Sequence, residues 1–417
     1  MQPELTASPL RDADLCVKCG MCLPHCPTYG VTRDESESPR GRIALMQVLA
    51  SGAIPVNAAM EAHLDGCLTC RACEVVCPAL VPYGRLIDAA REELARQRPA
   101  RTRLPRLMAA VLTRPALRWT FALGVWLYQR AGLQWLVRKL RLLGRGRLAR
   151  LDSLLPRIHL PALPAASSRT AGEKVFLFAN CTSPLVEPRA LDAAVQLLEA
   201  LGCAVEVPTA QTCCGAQHQH AGMAQEARAC ASRNLLAFAG EAPVLGVASG
   251  CTAQLLEYEA SFARRARDIH DFIARHPNFP ALSFAPLAAP HPTRVLLHTP
   301  CTQRNVVKAP DAVRRLLERI PGLQVEALDN ACCGAAGSYF VTQPDMADAL
   351  LEPKLARARD SGATLVVSGN VGCAMHLAAG LRRAGLSARV CHPLELLDAQ
   401  RATPRAAATA APPARPG

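Results

Sequence analysis

Two short stretches of the chain each carry four cysteines at one spacing. CVKCGMCLPHCP covers residues 16–27 and CLTCRACEVVCP covers residues 67–78, and both follow C-x2-C-x2-C-x3-C-P. We call them the first and second ladders. Three thiolates at this pitch can wrap one face of an iron–sulfur cube, while the fourth is carried on to the neighbouring cluster. The spacing predicts two [4Fe–4S] clusters, one held by Cys16, Cys19, Cys22 and Cys77 and the other by Cys67, Cys70, Cys73 and Cys26.

The alternative for these thiols is a pair of structural zinc sites. A zinc ribbon needs two C-x2-C pairs rather than two four-cysteine ladders that each end in proline, so the pattern favours iron–sulfur clusters. The first residues, MQPELTASPLRDADLC, contain neither the basic nor the apolar region of a secretion signal. We therefore expect a cytoplasmic protein whose 19 cysteines stay reduced.

The insert between the ladders is predicted to be helical. About forty residues separate Cys26 from Cys67, and they include SPRGRIALMQVLASG, whose apolar residues fall on one helical stripe. A second helical run ends at Leu64. Residues 5–98 are therefore predicted to form a largely helical, ferredoxin-like domain.

The second half of the chain contains one unit of roughly 110 residues twice, at 171–285 and 292–398. Short apolar runs alternate with longer amphipathic runs in each copy, as in an α/β fold. Each copy has single cysteines after two predicted strands and a Cys-Cys-Gly between them. His270 and His392 occupy matching positions. The pattern cysteines are Cys181, Cys213, Cys214 and Cys251 in the first copy and Cys301, Cys332, Cys333 and Cys373 in the second.

Each set of four thiols is predicted to converge at one edge of its sheet, because open α/β sheets build their sites at the carboxyl ends of strands. The glycine after each vicinal pair is expected to let the backbone approach a bulky inorganic group. These sets are candidates for further iron–sulfur clusters, and the alternative is buried, inert cysteine. That alternative is preferred for Cys203, Cys230 and Cys391, which lie outside the pattern.

The fold class predicted is α+β and multidomain, with the helical ferredoxin-like domain followed by two repeated α/β Cys-Cys-Gly domains. Residues 99–170 are predicted to be a basic helical linker, and the Ala/Pro-rich residues 399–417 a disordered tail. Within the linker, residues 101–150 hold twelve Arg and Lys residues and no Asp or Glu, so they supply nearly all of the net charge of +13.

The linker also contains all three tryptophans, Trp119, Trp126 and Trp135. Its longest uncharged run, WTFALGVWLYQ, is much shorter than the roughly 20 residues that a membrane-spanning helix needs. In a helix, Trp119, Leu123 and Trp126 would share one stripe flanked by basic residues, which is typical of a helix lying on an anionic surface. The alternative is a linker helix packed on the neighbouring domain.

Two ladders followed by two Cys-Cys-Gly repeats resemble the iron–sulfur subunit of bacterial glycolate oxidase. ESPRGRIALMQ, HLDGCLTCRACEVVCP and SGNVGC strengthen the resemblance, which runs from about residue 12 to 398. The small subunit of anaerobic glycerol-3-phosphate dehydrogenase, lactate-oxidation proteins and heterodisulfide reductase subunits share the architecture. Heterodisulfide reductases end each repeat with C-x-x-C, whose first position is Ala248 or Asn370 in this chain. An ordinary cluster, a labile cluster and an empty thiol pocket therefore all remain open for each repeat.

The resemblance implies that FAD-containing partner subunits oxidise glycolate to glyoxylate. This chain would take the electrons through its clusters and pass them towards the quinone pool. The anionic surface under the linker helix would be the inner face of the cell membrane or an acidic face of the flavin-bearing subunit. We find no GxGxxG after a strand and no phosphate loop, so we expect neither FAD nor NAD here, and no catalytic residue stands out.

Three other functions are alternatives: a subunit that serves lactate or glycerol 3-phosphate, a thiol–disulfide reductase, and a nucleic-acid-binding protein. The missing C-x-x-C argues against the reductase. The basic residues are not interleaved with a binding motif, so no nucleic-acid partner is expected despite the pI of 9.1.

Overall fold

The computed structural model of the chain describes residues 9–140, 142–144, 147–167, 169–288, 293–329 and 331–402. The predicted tail at 399–417 lies outside the described residues from position 403 onwards, as do the first residues of the predicted domain at 5–98. The fold class is confirmed, since a helical N-terminal part precedes two α/β units that each contain a parallel four-stranded sheet.

The N-terminal part is built from short helices around the two ladders. Ser38 starts the longest helix of the insert, because its hydroxyl accepts from the Gly41 N–H at 3.0 Å and Pro39 follows it. The core between the helices contains Met46, Leu64 and Leu86. The helices are α1 (Pro27–Thr32), α2 (Pro39–Ser51), α3 (Ala58–Asp65), α4 (Ala72–Val75) and α5 (Tyr83–Gln97).

The linker forms four helices, α6 (Arg103–Thr113), α7 (Pro115–Arg130), α8 (Leu133–Lys139) and α9 (Arg147–Leu154). One side of α7 packs on the first α/β unit, where Ala122 meets Ile158 and Leu185. The buried Asp152 joins the helices, since it accepts from Tyr128 at 3.1 Å and from Arg138 at 2.5 Å. None of the helices in the described residues combines the length and the apolar character needed to cross a lipid bilayer.

The two α/β units have the same sheet topology. The first sheet contains β1 (Lys174–Phe178), β2 (Ala204–Glu206), β3 (Val244–Gly246) and β4 (Ala266–Asp268) in the order β2-β1-β3-β4. The second contains β5 (Thr293–His298), β6 (Leu323–Ala327), β7 (Leu365–Ser368) and β8 (Arg389–Cys391) in the order β6-β5-β7-β8. All neighbouring strands are parallel, with Val175 opposite Val205 in the first sheet and Val295 opposite Val325 in the second.

Short helices cover both sheets. Those of the first unit are α10 (Ser183–Val186), α11 (Pro188–Ala200), α12 (Ala216–His220), α13 (Ala224–Ala237), α14 (Ser249–Leu255), α15 (Ala260–Ala263) and α16 (Ile269–Arg275). Those of the second unit are α17 (Cys301–Asn305), α18 (Ala312–Leu317), α19 (Tyr339–Thr342), α20 (Pro344–Ser361), α21 (Val371–Arg383) and α22 (Pro393–Ala399).

The two units pack against each other through one continuous apolar core. Residues from α11, α16, α18 and α22, such as Leu198, Ile269, Leu316 and Leu397, belong to it. At its centre the rings of His270 and His392, which the sequence places at matching positions, lie 5.2 Å apart. The repeated units therefore meet about their equivalent helices.

The four predicted strands that carry a single cysteine all end earlier than expected. The sequence predicts that they run to Cys181, Cys251, Cys301 and Cys373, but β1 ends at Phe178, β3 at Gly246, β5 at His298 and β7 at Ser368. Cys251 and Cys373 instead lie in the first turns of α14 and α21. The Asn370 side chain caps α21 by accepting from the Gly372 N–H at 3.1 Å, which starts the helix before the cysteine. The short edge strands β4 and β8 were not predicted.

The glycines of the two Cys-Cys-Gly motifs pack against helix backbones. Gly215 and Gly334 have φ values of +88° and +80°, in the left-handed region. A Cβ on Gly334 would lie 2.7 Å from the carbonyl oxygen of Ala347 in α20, and one on Gly215 would lie 3.1 Å from that of Ala227 in α13. Only glycine allows the vicinal cysteines to sit this close to a helix backbone.

We predict that Gly334→Ala destabilises the chain more than Gly362→Ala does. Gly362 also has a positive φ, of +62°, but a Cβ there meets no atom within 4 Å. Gly362→Ala is the control, and it should lower the free energy of unfolding by about 1–2 kcal/mol, the cost of holding alanine in the left-handed conformation. Gly334→Ala should lower it by about 1–3 kcal/mol more, through overpacking. Urea unfolding of both variants measures the difference, and equal free energies of unfolding would contradict the packing role.

Candidate metal centres

The first ladder and the last cysteine of the second ladder line one cavity. Cys16, Cys19, Cys22 and Cys77 all face it, which is the set predicted from the spacing. Lys18 and Gly20 have φ values of 56° and 85°, and these left-handed residues curl the loop between the cysteines. Cys19 is exposed, so this cavity opens at the surface. We call it the first ladder site.

The remaining four ladder cysteines line a second, adjacent cavity, the second ladder site. Cys26, Cys67, Cys70 and Cys73 surround it, and Cys73 also borders the first ladder site. Thr69 and Arg71 have φ values of 50° and 58° at the positions that match Lys18 and Gly20, so the two loops share one conformation. The structure thus brings together the crossed sets that the sequence predicts.

A buried cation stands beside the second ladder site. Arg42 is about 1% exposed, lines the cavity and forms an ion pair with Glu37. It also donates to the His63 carbonyl at 2.7 Å and to the Thr28 hydroxyl at 3.0 Å. Burial raises the pKa of Cys70 and of Cys73 well above the usual value, so both hold their protons until a metal replaces them.

The four pattern cysteines of the first α/β unit also converge. The thiol of Cys181 lies 3.6 Å from that of Cys213, and the Cys214 thiol interacts with both Cys213 and Cys251. The loop is held by Asn234, which donates to the Cys213 carbonyl at 3.0 Å, and by Tyr258, which donates to the Cys214 carbonyl at 2.8 Å. We call this group the first repeat site.

The second repeat site gathers the matching cysteines of the second unit. Cys301 and Cys332 lie 4.0 Å apart at their sulfurs, and Cys333 interacts with Cys332 and Cys373. Hydrogen bonds from Cys301 and Cys333 hold the pKa of Cys332 well below its usual value. All these cysteines are free thiols.

Two groups at the second repeat site were not singled out from the sequence. A ring nitrogen of His298 and the sulfurs of Cys333 and Cys373 lie within 4.8 Å of one another. Burial lowers the pKa of His298 to about 3, so its ring is neutral. The ammonium of the buried Lys354 lies 2.6 Å from Asp329, and its charge acts on Cys332. His298 is the last residue of β5 and looks like an ordinary strand residue. A comparison of the two copies would have singled out His298, because Phe178 occupies the matching position in the first copy.

The second ladder site adjoins the second repeat site. Cys70, Cys301 and Cys332 belong to one buried group of residues, and the charges of Cys70 and Cys332 act on each other. Asn305 fixes the contact by donating to the Cys70 carbonyl at 2.7 Å, and the Tyr339 hydroxyl donates to the Gly66 carbonyl at 3.1 Å. Two sites that lie more than 200 residues apart in the sequence are therefore neighbours.

The remaining cysteines lie outside the four sites. Cys203 stands 3.8 Å from Nε2 of His276, and burial raises its pKa to about 11. Burial also raises the pKa of Cys391 to about 12, and Cys230 is buried in the apolar core of the first unit. Nδ1 of His276 accepts from the Asn278 N–H at 3.1 Å, which leaves the proton on Nε2 and makes that nitrogen a poor metal ligand.

The two ladder sites suit iron–sulfur clusters, and the two repeat sites offer donors of the same kind. Each offers four convergent sulfurs in a largely apolar surrounding, and soft thiolates of this kind select iron–sulfur clusters, zinc or copper(I). The ladder spacing belongs to the first of these. Such clusters, when bound, accept and release single electrons, while the chain supplies the ligands and the neighbouring charges.

Comparisons with known proteins agree with this geometry. Residues 12–81 match the family described as "4Fe-4S dicluster domain", and residues 175–256 and 295–378 match the one described as "Cysteine-rich domain". The chain is 33% identical over 413 residues to the "Probable glycolate oxidase iron-sulfur subunit" of Bacillus subtilis, covering 90% of each chain. It is 31% identical to the "Glycolate oxidase iron-sulfur subunit" of Escherichia coli, covering 88% of this chain and 90% of the relative. It is also 28% identical to "Lactate utilization protein A" of Oceanobacillus iheyensis, over 55% of this chain and 98% of the relative.

We predict that Cys77→Ser and Cys19→Ser remove the same cluster, although the two cysteines lie on different ladders. Cys26→Ser and Cys70→Ser should remove the other one. Each variant should lose about four of about eight ladder irons, because one missing thiolate opens one four-cysteine site. Iron analysis and electron paramagnetic resonance of anaerobically purified chains test this. If Cys77→Ser instead matched Cys70→Ser, each ladder would hold its own cluster without crossing.

Proposed function

The chain belongs to the family of glycolate oxidase iron–sulfur subunits, and from that premise we propose that it carries electrons within a glycolate-oxidising complex. In this proposal a flavin-bearing partner subunit oxidises glycolate to glyoxylate, and this chain passes the electrons towards the quinone pool. The ligands would be Cys16, Cys19, Cys22 and Cys77 at the first ladder site, Cys67, Cys70, Cys73 and Cys26 at the second, and the four pattern cysteines at each repeat site.

The observation that carries the proposal is the continuity of the thiol sites. The two ladder sites share Cys73 on their borders, and Cys70 adjoins Cys301 and Cys332 of the second repeat site. A subunit that relays electrons needs its redox groups close together and partly shielded from water. The first ladder site opens at the surface, whereas the second repeat site is buried. This order supports a path that starts at the first ladder site.

The surface around the first ladder site fits a docking partner. Large apolar side chains are exposed along this site. Val17, which is 71% exposed, and Met21 line the cavity together with Cys19. Leu15 and Leu80, which is 80% exposed, are sequence neighbours of lining residues, and we call these four side chains the rim. Rims of this kind on a soluble protein mark interaction sites. We therefore place the flavin-bearing partner on this rim, next to the site that opens at the surface.

A second surface, on the linker helices, fits an anionic membrane. The side of α7 and α8 away from the first unit exposes apolar residues, including Trp119 at 47% and Trp135 at 62%. The cations of Arg130 and Lys139 lie over the rings of Trp126 and Trp135, at 5.4 Å and 4.5 Å from the ring centroids. Basic residues beside exposed tryptophans favour the boundary between lipid headgroups and acyl chains. The packed face of α7 agrees with a linker helix that lies on the neighbouring domain, and its exposed face agrees with a helix that lies on an anionic surface.

We predict that the isolated chain does not reduce a dye with glycolate and that activity appears only with the flavin-bearing subunits. Lactate and glycerol 3-phosphate, tested in the same assay, identify the preferred substrate.

Val17→Asp with Met21→Asp should keep the iron but lose activity in the reconstituted complex, because charges on the rim oppose docking. Reduction of the dye by the isolated chain, or full activity of the rim variant, would contradict the proposed division of labour.

We also predict that the complex binds vesicles containing anionic lipid and that salt releases it. Arg103, Arg114 and Lys139 are exposed, and changing all three to Gln should weaken binding on the order of a hundredfold, since each contributes about 1 kcal/mol near an anionic surface. Arg138 is unsuitable for this test because it pairs with Asp152. A matched control changes three exposed arginines of the repeats, Arg264, Arg359 and Arg389, to Gln. Equal losses in both variants would point to net charge rather than to this surface.

A further inference from the structure

One nitrogen donor stands among the thiols of the second repeat site. His298 is about 1% exposed, and one of its ring nitrogens lies within 4.8 Å of the sulfurs of both Cys333 and Cys373. The charge of Cys332 also acts on the ring. A histidine in the middle of a thiol cluster has the position of a ligand rather than that of a core side chain.

One ring nitrogen of His298 also has a hydrogen-bond partner. Nδ1 lies 3.0 Å from the hydroxyl oxygen of Ser368, which is fully buried at the end of the neighbouring strand β7. A histidine that binds a metal commonly donates its second N–H to such a partner, and this bond sets both the tautomer and the ring orientation. In the tautomer whose Nδ1–H donates to Ser368, Nε2 keeps the lone pair that a metal needs.

The first repeat has no such donor at the matching position. Phe178 is the matching residue, three positions before Cys181 as His298 is three before Cys301. Its ring packs on Phe238 with centroids 5.8 Å apart, inside an aromatic group that fills this part of the first unit. The two repeat sites therefore share four cysteines but differ in the fifth potential ligand.

We propose that His298 is a nitrogen ligand of the iron–sulfur cluster at the second repeat site. The inference rests on the proposed function, which assigns a cluster to Cys301, Cys332, Cys333 and Cys373. Five donors exceed the four that a single tetrahedral zinc ion takes, which favours a group with several metal atoms.

The test uses the full chain, purified anaerobically after growth with ¹⁵N-labelled histidine. Pulsed electron paramagnetic resonance should show a nitrogen coupling that changes with the label, since the ladder sites hold only cysteine. His298→Phe, which installs the residue of the first repeat, should abolish the coupling. The matched control is His276→Phe, which removes a buried histidine beside Cys203, and this variant should keep it.

The wild-type measurement needs no variant, so it remains decisive even where His298→Phe fails to fold. Ser368→Ala keeps the ring and removes its partner, and it should alter the size of the coupling without abolishing it. Iron beyond the ladder sites without any histidine coupling would overturn the inference and leave the proposed function standing. A coupling that survives His298→Phe would also overturn it. A finding that the repeat sites hold no iron, or hold zinc, would mean that no iron–sulfur cluster is bound there and would also overturn the inference.

Discussion

Crowding of thiols is the constraint on which the rest of this structure depends. Each of the four sites places several sulfurs together, and at all but the first ladder site, which opens at the surface, most of these cysteines are buried. Thiolates so placed repel one another and lose hydration. Burial raises the pKa of Cys70 and of Cys73, and the hydrogen bond from Cys181 to Cys213 raises the pKa of Cys181. A loaded site resolves the conflict because metal charge replaces protons.

Buried cations offset the charge of the crowded thiolates and also hold the backbone through hydrogen bonds. Arg42 lies beside the second ladder site and connects α2 to the segment before it, through Glu37, and to α3, through His63. Arg91 of α5 donates to the carbonyl oxygen of Cys67 at 2.6 Å and to that of His220 in the first unit at 3.2 Å. One buried guanidinium therefore joins the ladder domain to a repeat. Removing such a residue would cost charge compensation and geometry together.

The sequence predicts the parts of the sites that local spacing determines. Ligand sets at the ladders follow from short loops whose residues, such as Lys18 and Thr69, take up the same left-handed turns. The helical and α/β parts follow from hydrophobic periodicity, which is why the fold class is predictable. The contact between Cys70 and Cys332 is not, because it depends on how two distant units pack. The local sequence does not mark His298 as a site residue for a similar reason, since the placement of β5 beside β7 brings it to the thiols.

The two repeats show how one duplicated unit can acquire two different sites. The covalent donors are the same four cysteines, so any difference between the sites has to come from their neighbours. The second site has the ammonium of Lys354, the ring of His298 and the adjoining Cys70. The first has the aromatic group around Phe178 instead, and the charge of Arg118 from the linker helix α7 acts on its Cys181. The second copy lies next to the second ladder site and the first copy lies next to the linker helix α7, so the two repeat sites have different electrostatic surroundings. The potential of a cluster depends on charge, hydrogen bonding and solvent access around its sulfurs, so clusters at the two sites would differ in potential.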